Sequence, residues 1–160
     1  MNGFEYIKIA AERGSKLGLE RITELCDRLG NPQNKTHIIH IAGTNGKGSF
    51  GAMLSAVLVE SGYKVGGFSS PALTDLTDSF CINGKSISAG DFNEVMADII
   101  PLCEDMADKP TEFEVLTAAA YELFCRENCD IALIECGMGG DTDSTNVVEY
   151  PVLSVITNIA

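Results

Sequence analysis

Two apolar rhythms alternate along this chain. Leu17, Ile22, Leu25 and Leu29 recur near helical spacing, with Glu20, Arg21, Glu24, Asp27 and Arg28 on the polar side. That spacing predicts a helix from about Phe4 to Leu29, stopped by Gly30-Asn31-Pro32. Short unbroken apolar runs at Thr36–Ala42, Tyr63–Phe68, Ile131–Glu135 and Val152–Thr157 read instead as buried strands. Between them, Lys47–Ser61 reads as a helix ended by Gly62. Phe80-Cys81-Ile82 and Ser86-Ile87-Ser88 flank Asn83-Gly84-Lys85, and Asn-Gly is a strong hairpin signal. Asp91 is placed to cap a helix reaching Met106. Thr111 and Glu114 have capping-box spacing and open a helix to about Glu127. Strands alternating with helices predict an α/β fold, a mostly parallel sheet with helices on both faces. In such sheets ligands sit at the carboxyl ends of the strands. Three polar clusters fall there: Gly43–Ser49, Ser69-Ser70-Pro71 and Glu135–Asp143. The stretch from Ser69 to Asp78 reads as loop.

Composition narrows the setting. The 160 residues, 45% hydrophobic, suffice for one domain with a real core. A net charge of −12 disfavours nucleic acid, which wants a basic footprint, and leaves a local phosphate site open. An anionic substrate would need a basic patch that is local or lies outside these residues. No apolar run approaches membrane-spanning length, and the N-terminus lacks the basic start and apolar core of a signal peptide. A cytoplasmic protein is expected. Cys26, Cys81, Cys103, Cys125, Cys129 and Cys136 form no CxxC pair, so buried reduced thiols are expected rather than zinc. The sequence stops at Ile156–Ala160 directly after a predicted strand, which reads as truncation inside a larger domain.

The chemistry centres on Gly43-Thr44-Asn45-Gly46-Lys47-Gly48-Ser49. Strand, glycine-rich turn, lysine, hydroxyl and helix in that order cradle a nucleotide's phosphates. Glycine lets amides turn toward the anion, and Lys47 and the helix start add positive charge. The spacing is particular: the generic pattern wants glycine where Ile41 stands, and one residue separates Lys47 from Ser49. Glu135 ends an apolar strand beside this loop, where a carboxylate can hold magnesium. Ser70, by chemistry alone, is an ordinary loop serine, and His40 a packed strand residue. No Ser/His/Asp or Cys/His set suggests a covalent intermediate. Phosphoryl transfer, which needs positioning and charge stabilisation, fits what is present.

These residues also resemble a known family. Leu17-Gly18-Leu19-Glu20-Arg21-Ile22, Leu29-Gly30-Asn31-Pro32-Gln33, the Ile39–Ser49 stretch, Ser69-Ser70-Pro71 and Ile82-Asn83-Gly84 are similar to the folylpolyglutamate synthase/dihydrofolate synthase family. So are Thr111–Glu114 with Thr117-Ala118, Glu135-Cys136-Gly137-Met138-Gly139-Gly140, Asp143–Val148 and Ile156–Ile159. That family belongs to the Mur-type amide ligases. The resemblance implies that residues 1–160 are the N-terminal part of the ATP-binding, Mur-ligase-like central domain. The rest of this domain and a C-terminal glutamate-binding domain are then missing. It implies ATP and Mg2+ as cofactors, and a dihydropteroate or reduced folate plus L-glutamate as substrates. A folate carboxylate would form an acyl phosphate that glutamate's amine displaces. Gly43, Thr44, Asn45, Gly46, Lys47, Gly48 and Ser49 would bind ATP phosphates, and Ser70 and Glu135 would ligate magnesium. Leu17, Gly18, Phe113, Glu114 and Asp143 would help form the pterin or pteroate pocket. The full-length protein is expected to be a monomer, and this stretch alone to lack turnover. Three positions depart from the pattern: Ala72 for a histidine, Ser79 for an arginine, and Asp141-Thr142 for Arg-Leu. Two alternatives accompany this reading, another Mur-type amino-acid ligase and a nucleotide-binding relative that has lost ligation.

Overall fold

A computed structural model describes residues Met1–Ala160. The chain begins with α1 (Gly3–Ala11) and α2 (Glu20–Arg28), then runs β1 (His37–Ala42), α3 (Lys47–Glu60) and β2 (Val65–Phe68). β3 (Phe80–Ile82), β4 (Lys85–Ser86), α4 (Ala89–Asp105), α5 (Glu112–Arg126), β5 (Ile131–Glu135) and β6 (Leu153–Ile156) follow. One six-stranded sheet has the order β4-β3-β2-β5-β1-β6. β2, β5, β1 and β6 are parallel, while β3 and β4 form an antiparallel edge. β5 lies between β1 and β2 and registers Glu135 beside Ile41. The strand end that carries a carboxylate thus adjoins the strand end that opens the glycine loop.

Helices cover both faces, unequally. α5 lies against the sheet on one side, with α1, α2 and α4 packed around it. This side holds a cluster of 25 buried residues, among them Tyr6, Tyr121, Phe80, Phe92 and Phe124. Gly66 of β2 lets Phe124 approach, since a β-carbon there would stand 2.6 Å from the ring. α3 covers the other side alone, over a small cluster of Ile39, Ile41, Val65 and Leu133.

The sequence expectations hold in type and shift in detail. The single helix expected from Phe4 to Leu29 is two helices, because Gly14 and Gly18 adopt positive φ (68° and 107°) in the connecting loop. Arg21, expected on the polar side of α2, is buried. The cap of α4 is Ser88; Asp91 sits three residues in and returns a carboxylate bond to the Ser88 amide at 3.0 Å. Thr111 and Glu114 form their capping box on α5. Asn83 and Gly84 take positive φ in the hairpin turn, and β4 is shorter than the pattern suggested. The loop after β2 ends in a 3-10 turn over Leu76–Ser79.

Candidate functional site

The loop between β1 and α3 presents four consecutive backbone donors. The amides of Gly46, Lys47, Gly48 and Ser49 make no hydrogen bond within the protein; the helix ladder starts with Phe50 N–H donating to Gly46 O at 2.9 Å. Gly46 precedes the helix with φ 85°, a left-handed turn that suits glycine. Unsatisfied amides at a helix start, together with the helix dipole, favour an anion. Lys47 rises from the same turn. Its Nζ donates to Gly43 O at 2.8 Å and stands 3.9 Å from Glu135 Oε1. Thr44 and Asn45 differ from their neighbours, since both their amides donate to Asn158 O (2.8 and 3.3 Å) in the segment after β6. Their expected phosphate contact by main-chain amides is therefore pre-empted in this conformation.

Glu135 is half-buried at the end of β5 and accepts no hydrogen bond; its one charged partner is Lys47. Desolvation raises its carboxyl above the ordinary range, with Lys47 pulling the other way. Such an underused carboxylate suits a hard cation such as magnesium. The β2–β5 register pairs Phe68 with Ile134, so Ser69 and Ser70 follow on beside the end of β5. Ser70, joined to Pro71 by a cis peptide, also has an unused hydroxyl. A cavity of about 580 Å³ runs from Lys47, Glu135 and Ser69 along the small-residue side of α3 to Asn83 and Gly84. Lys47 is the only basic residue lining it.

The expected substrate residues divide into two groups. Phe113 and Asp143 flank Gly137 in the exit from β5, where a β-carbon would stand 2.7 Å from Phe113 and 3.2 Å from Asp143. Phe113 stacks on Phe68 at 6.1 Å. Asp143 is buried and accepts from the amides of Met138 (2.9 Å) and Thr145 (3.0 Å), bracing the glycine loop after Glu135. Leu17, Gly18 and Glu114 form the other group, joined through Arg21. The Arg21 guanidinium donates to both Glu114 oxygens at 3.1 Å and to Leu17 O at 3.3 Å. Glu114 is 1% exposed, and Thr111 takes its remaining capacity. It is a structural anion with both oxygens occupied, whereas Leu17 is 81% exposed. Helical spacing puts Arg21 on the polar side of α2; its place four after Leu17 is the signal for this junction.

Beneath the glycine loop lies a buried polar cluster. His40 Nε2 is 2.7 Å from Thr145 Oγ1 and 3.1 Å from Cys136 Sγ. Burial lowers the His40 pKa against the opposing pull of Asp143, and burial raises the Cys136 thiol. A neutral ring and a protonated thiol fit packed residues. Of the three departures from the family pattern, Ser79 is buried and its carbonyl accepts from Ser69 N–H at 3.0 Å. Asp141 is exposed and Ala72 partly so; neither position supplies positive charge.

No protein-family model matches the chain. Among curated proteins it is similar to the dihydrofolate synthetase of Saccharomyces cerevisiae, 44% identical over 133 residues, which are 83% of the chain and 31% of that relative. It is 42% identical over 151 residues to the dihydrofolate synthase/folylpolyglutamate synthase of Bacillus subtilis, 91% of the chain and 35% of that relative. Among solved structures, Thermotoga maritima folylpolyglutamate synthase superposes with a TM-score of 0.91 at 38% identity, covering 99% of this chain and 38% of that one. The Mycobacterium tuberculosis enzyme complexed with ADP and AMPPCP gives 0.87 at 34% identity, covering 99% and 37%. The chain spans about a third of the length of the curated relatives it matches.

Proposed function

We propose, on the premise that this chain belongs to the folylpolyglutamate synthase/dihydrofolate synthase family, that it supplies the phosphate site of an ATP-dependent glutamate ligase. The observation that carries this is the meeting of Lys47 Nζ and Glu135 Oε1 at 3.9 Å, beside four unpartnered amides. In this reading Gly46–Ser49 amides and Lys47 hold the phosphates, with Gly43, Thr44 and Asn45 shaping the turn. Glu135 and Ser70 hold magnesium, which when bound offsets charge on the phosphates. Lys47 follows the γ-phosphoryl group as its bond to the β-phosphate breaks, ADP leaves, and a pteroyl carboxylate oxygen takes the phosphoryl group. Glutamate's amine then displaces phosphate from the resulting acyl phosphate, giving an amide.

Phe113 offers an aromatic wall to a pterin beside Asp143, and Arg21 with Glu114 fixes the Leu17-Gly18 loop. Dihydropteroate or a reduced folate is the acid. Lys47 is the only basic residue lining the cavity, so the cations that hold glutamate's carboxylates are supplied from beyond that lining. We place the protein in the cytoplasm, as a monomer at full length. All six cysteines are free, and no helix is long and apolar enough to cross a membrane. The test has two parts. The chain should bind Mg-ATP without turnover. At the full length of its relatives it should release ADP only when both a pteroyl acid and glutamate are present, and Lys47→Ala should abolish that release. ADP release indifferent to either substrate would refute the ligase reading.

A further inference from the structure

Thr157, just beyond β6, has no part in the phosphate contacts above, yet it touches the loop that makes them. Its amide donates to Ala42 O at 2.9 Å. Its hydroxyl lies 2.7 Å from Asn45 O and 3.2 Å from Ala42 O, so its single proton goes to Asn45 as the nearer acceptor. A β-carbon on Gly43 would collide with that same hydroxyl, so the loop and Thr157 are in tight contact. The next residue, Asn158, takes the amides of Thr44 and Asn45 on its carbonyl.

A trans peptide points its C=O and N–H in opposite directions. Holding the Asn45 carbonyl on Thr157 therefore turns the Gly46 N–H away from Thr157, and that amide is the first of the four unpartnered donors. The alternative orientation of this peptide would aim a carbonyl at the anion and remove one donor. Gly46, at φ 85° and without a side chain, offers little resistance to such a flip. The restraint has to come from outside the loop.

We infer that Thr157 is a positioning residue for the phosphate site: its hydroxyl fixes the Asn45–Gly46 peptide so that the Gly46 amide faces the anion. The inference rests on the phosphate-site reading. Asn158 completes the latch by holding Thr44 and Asn45 out of the anion's reach. The phosphate then meets a defined arc of amides from Gly46 to Ser49, and no main-chain carbonyl.

The test measures affinity of the full chain for Mg-AMPPNP, with amide signals followed by 15N NMR, in wild type, Lys47→Ala, Thr157→Val and Thr157→Ser. Valine keeps the shape and removes the hydroxyl; serine keeps the hydroxyl. We expect Thr157→Val to weaken binding roughly tenfold, the scale of one hydrogen bond to a charged group. Thr157→Ser should stay within about twofold of wild type, a rescue that loss of bulk packing would not give. In wild type the Gly46 amide should shift and gain exchange protection on nucleotide addition, while Thr44 and Asn45 stay protected throughout. Equal affinity of wild type and Thr157→Val overturns the inference while Lys47→Ala still loses binding and the phosphate reading stands. If wild type and Lys47→Ala bind alike, or wild type does not bind, the phosphate reading falls and takes the latch with it. Should Thr157→Val not fold, exchange in wild type decides: Thr44 and Asn45 losing protection as nucleotide binds would overturn the latch.

Discussion

The two faces of the sheet do different jobs. On the α5 side, 25 residues are buried in one cluster, and α5 alone buries ten of its own. On the α3 side, four are buried, and α3 buries none of its fourteen. The same sheet thus has a face built for cohesion and a face left open along a cavity that ends at Lys47 and Glu135. The contrast shows where each kind of residue is tolerated. Full burial of aromatic rings stabilises the fold. Small residues such as Gly48, Gly51, Ala52 and Ser55 keep the other side accessible at a cost in packing.

Substitutions should expose this division. Phe124→Ala on the cohesive face should cost about 3–5 kcal/mol, because the ring is fully buried and leaves a cavity. Urea unfolding measures it, and a loss under about 1 kcal/mol would put the core elsewhere. Arg21→Ala should cost about 3 kcal/mol, near the lower end for breaking a buried pair, since Thr111 still satisfies part of Glu114. The same unfolding experiment applies, and a neutral result would mean that Glu114 is solvated.

Glu135→Gln should sort the other way. Between the ordinary carboxylate range and the raised native value, the native state keeps a proton that the unfolded chain has released; above both, Glu135 is ionised in either state. Stability therefore falls as pH rises from the ordinary carboxylate range through the raised value. Removing the carboxylate abolishes that slope and leaves the protein at least as stable at neutral pH, while Mg-nucleotide affinity drops by about tenfold or more. Stability curves from pH 4 to 8 for both proteins would show it; a slope unchanged in Glu135→Gln would contradict the assignment. Val57→Ala, on the exposed side of α3, should change stability by no more than about 0.5 kcal/mol. A larger loss would mean that the α3 face is covered in solution.

Much of this was legible in the residues. The strand runs, the glycine turn and the terminal Glu135 predicted the architecture and brought Lys47 toward a carboxylate, because apolar runs fix strands and glycines fix the turn. Thr111 and Glu114 announced a helix start through local chemistry alone. What was not legible depended on contacts distant in sequence. Arg21 looks like a surface cation by helical spacing, and only its meeting with Glu114, 93 positions away, makes it an interior one. Likewise, Thr44 and Asn45 read as phosphate ligands until Asn158 takes their amides. Glu114 read as a pocket residue and is occupied by its own cap and by Arg21. The break between α1 and α2 lay in Gly14 and Gly18, whose positive φ outweighed the apolar period.

The central claim is that Lys47 and Glu135 bound one metal–nucleotide site. Calorimetric titration of Mg-AMPPNP into the wild-type chain, Lys47→Ala and Glu135→Gln tests it most directly, with circular dichroism confirming that each remains folded. The account predicts one saturable site in wild type, weakened about 10- to 100-fold by Lys47→Ala as a charged hydrogen bond to phosphate is lost. It also predicts a magnesium dependence that disappears in Glu135→Gln. Equal affinity and equal magnesium dependence in all three proteins would contradict it.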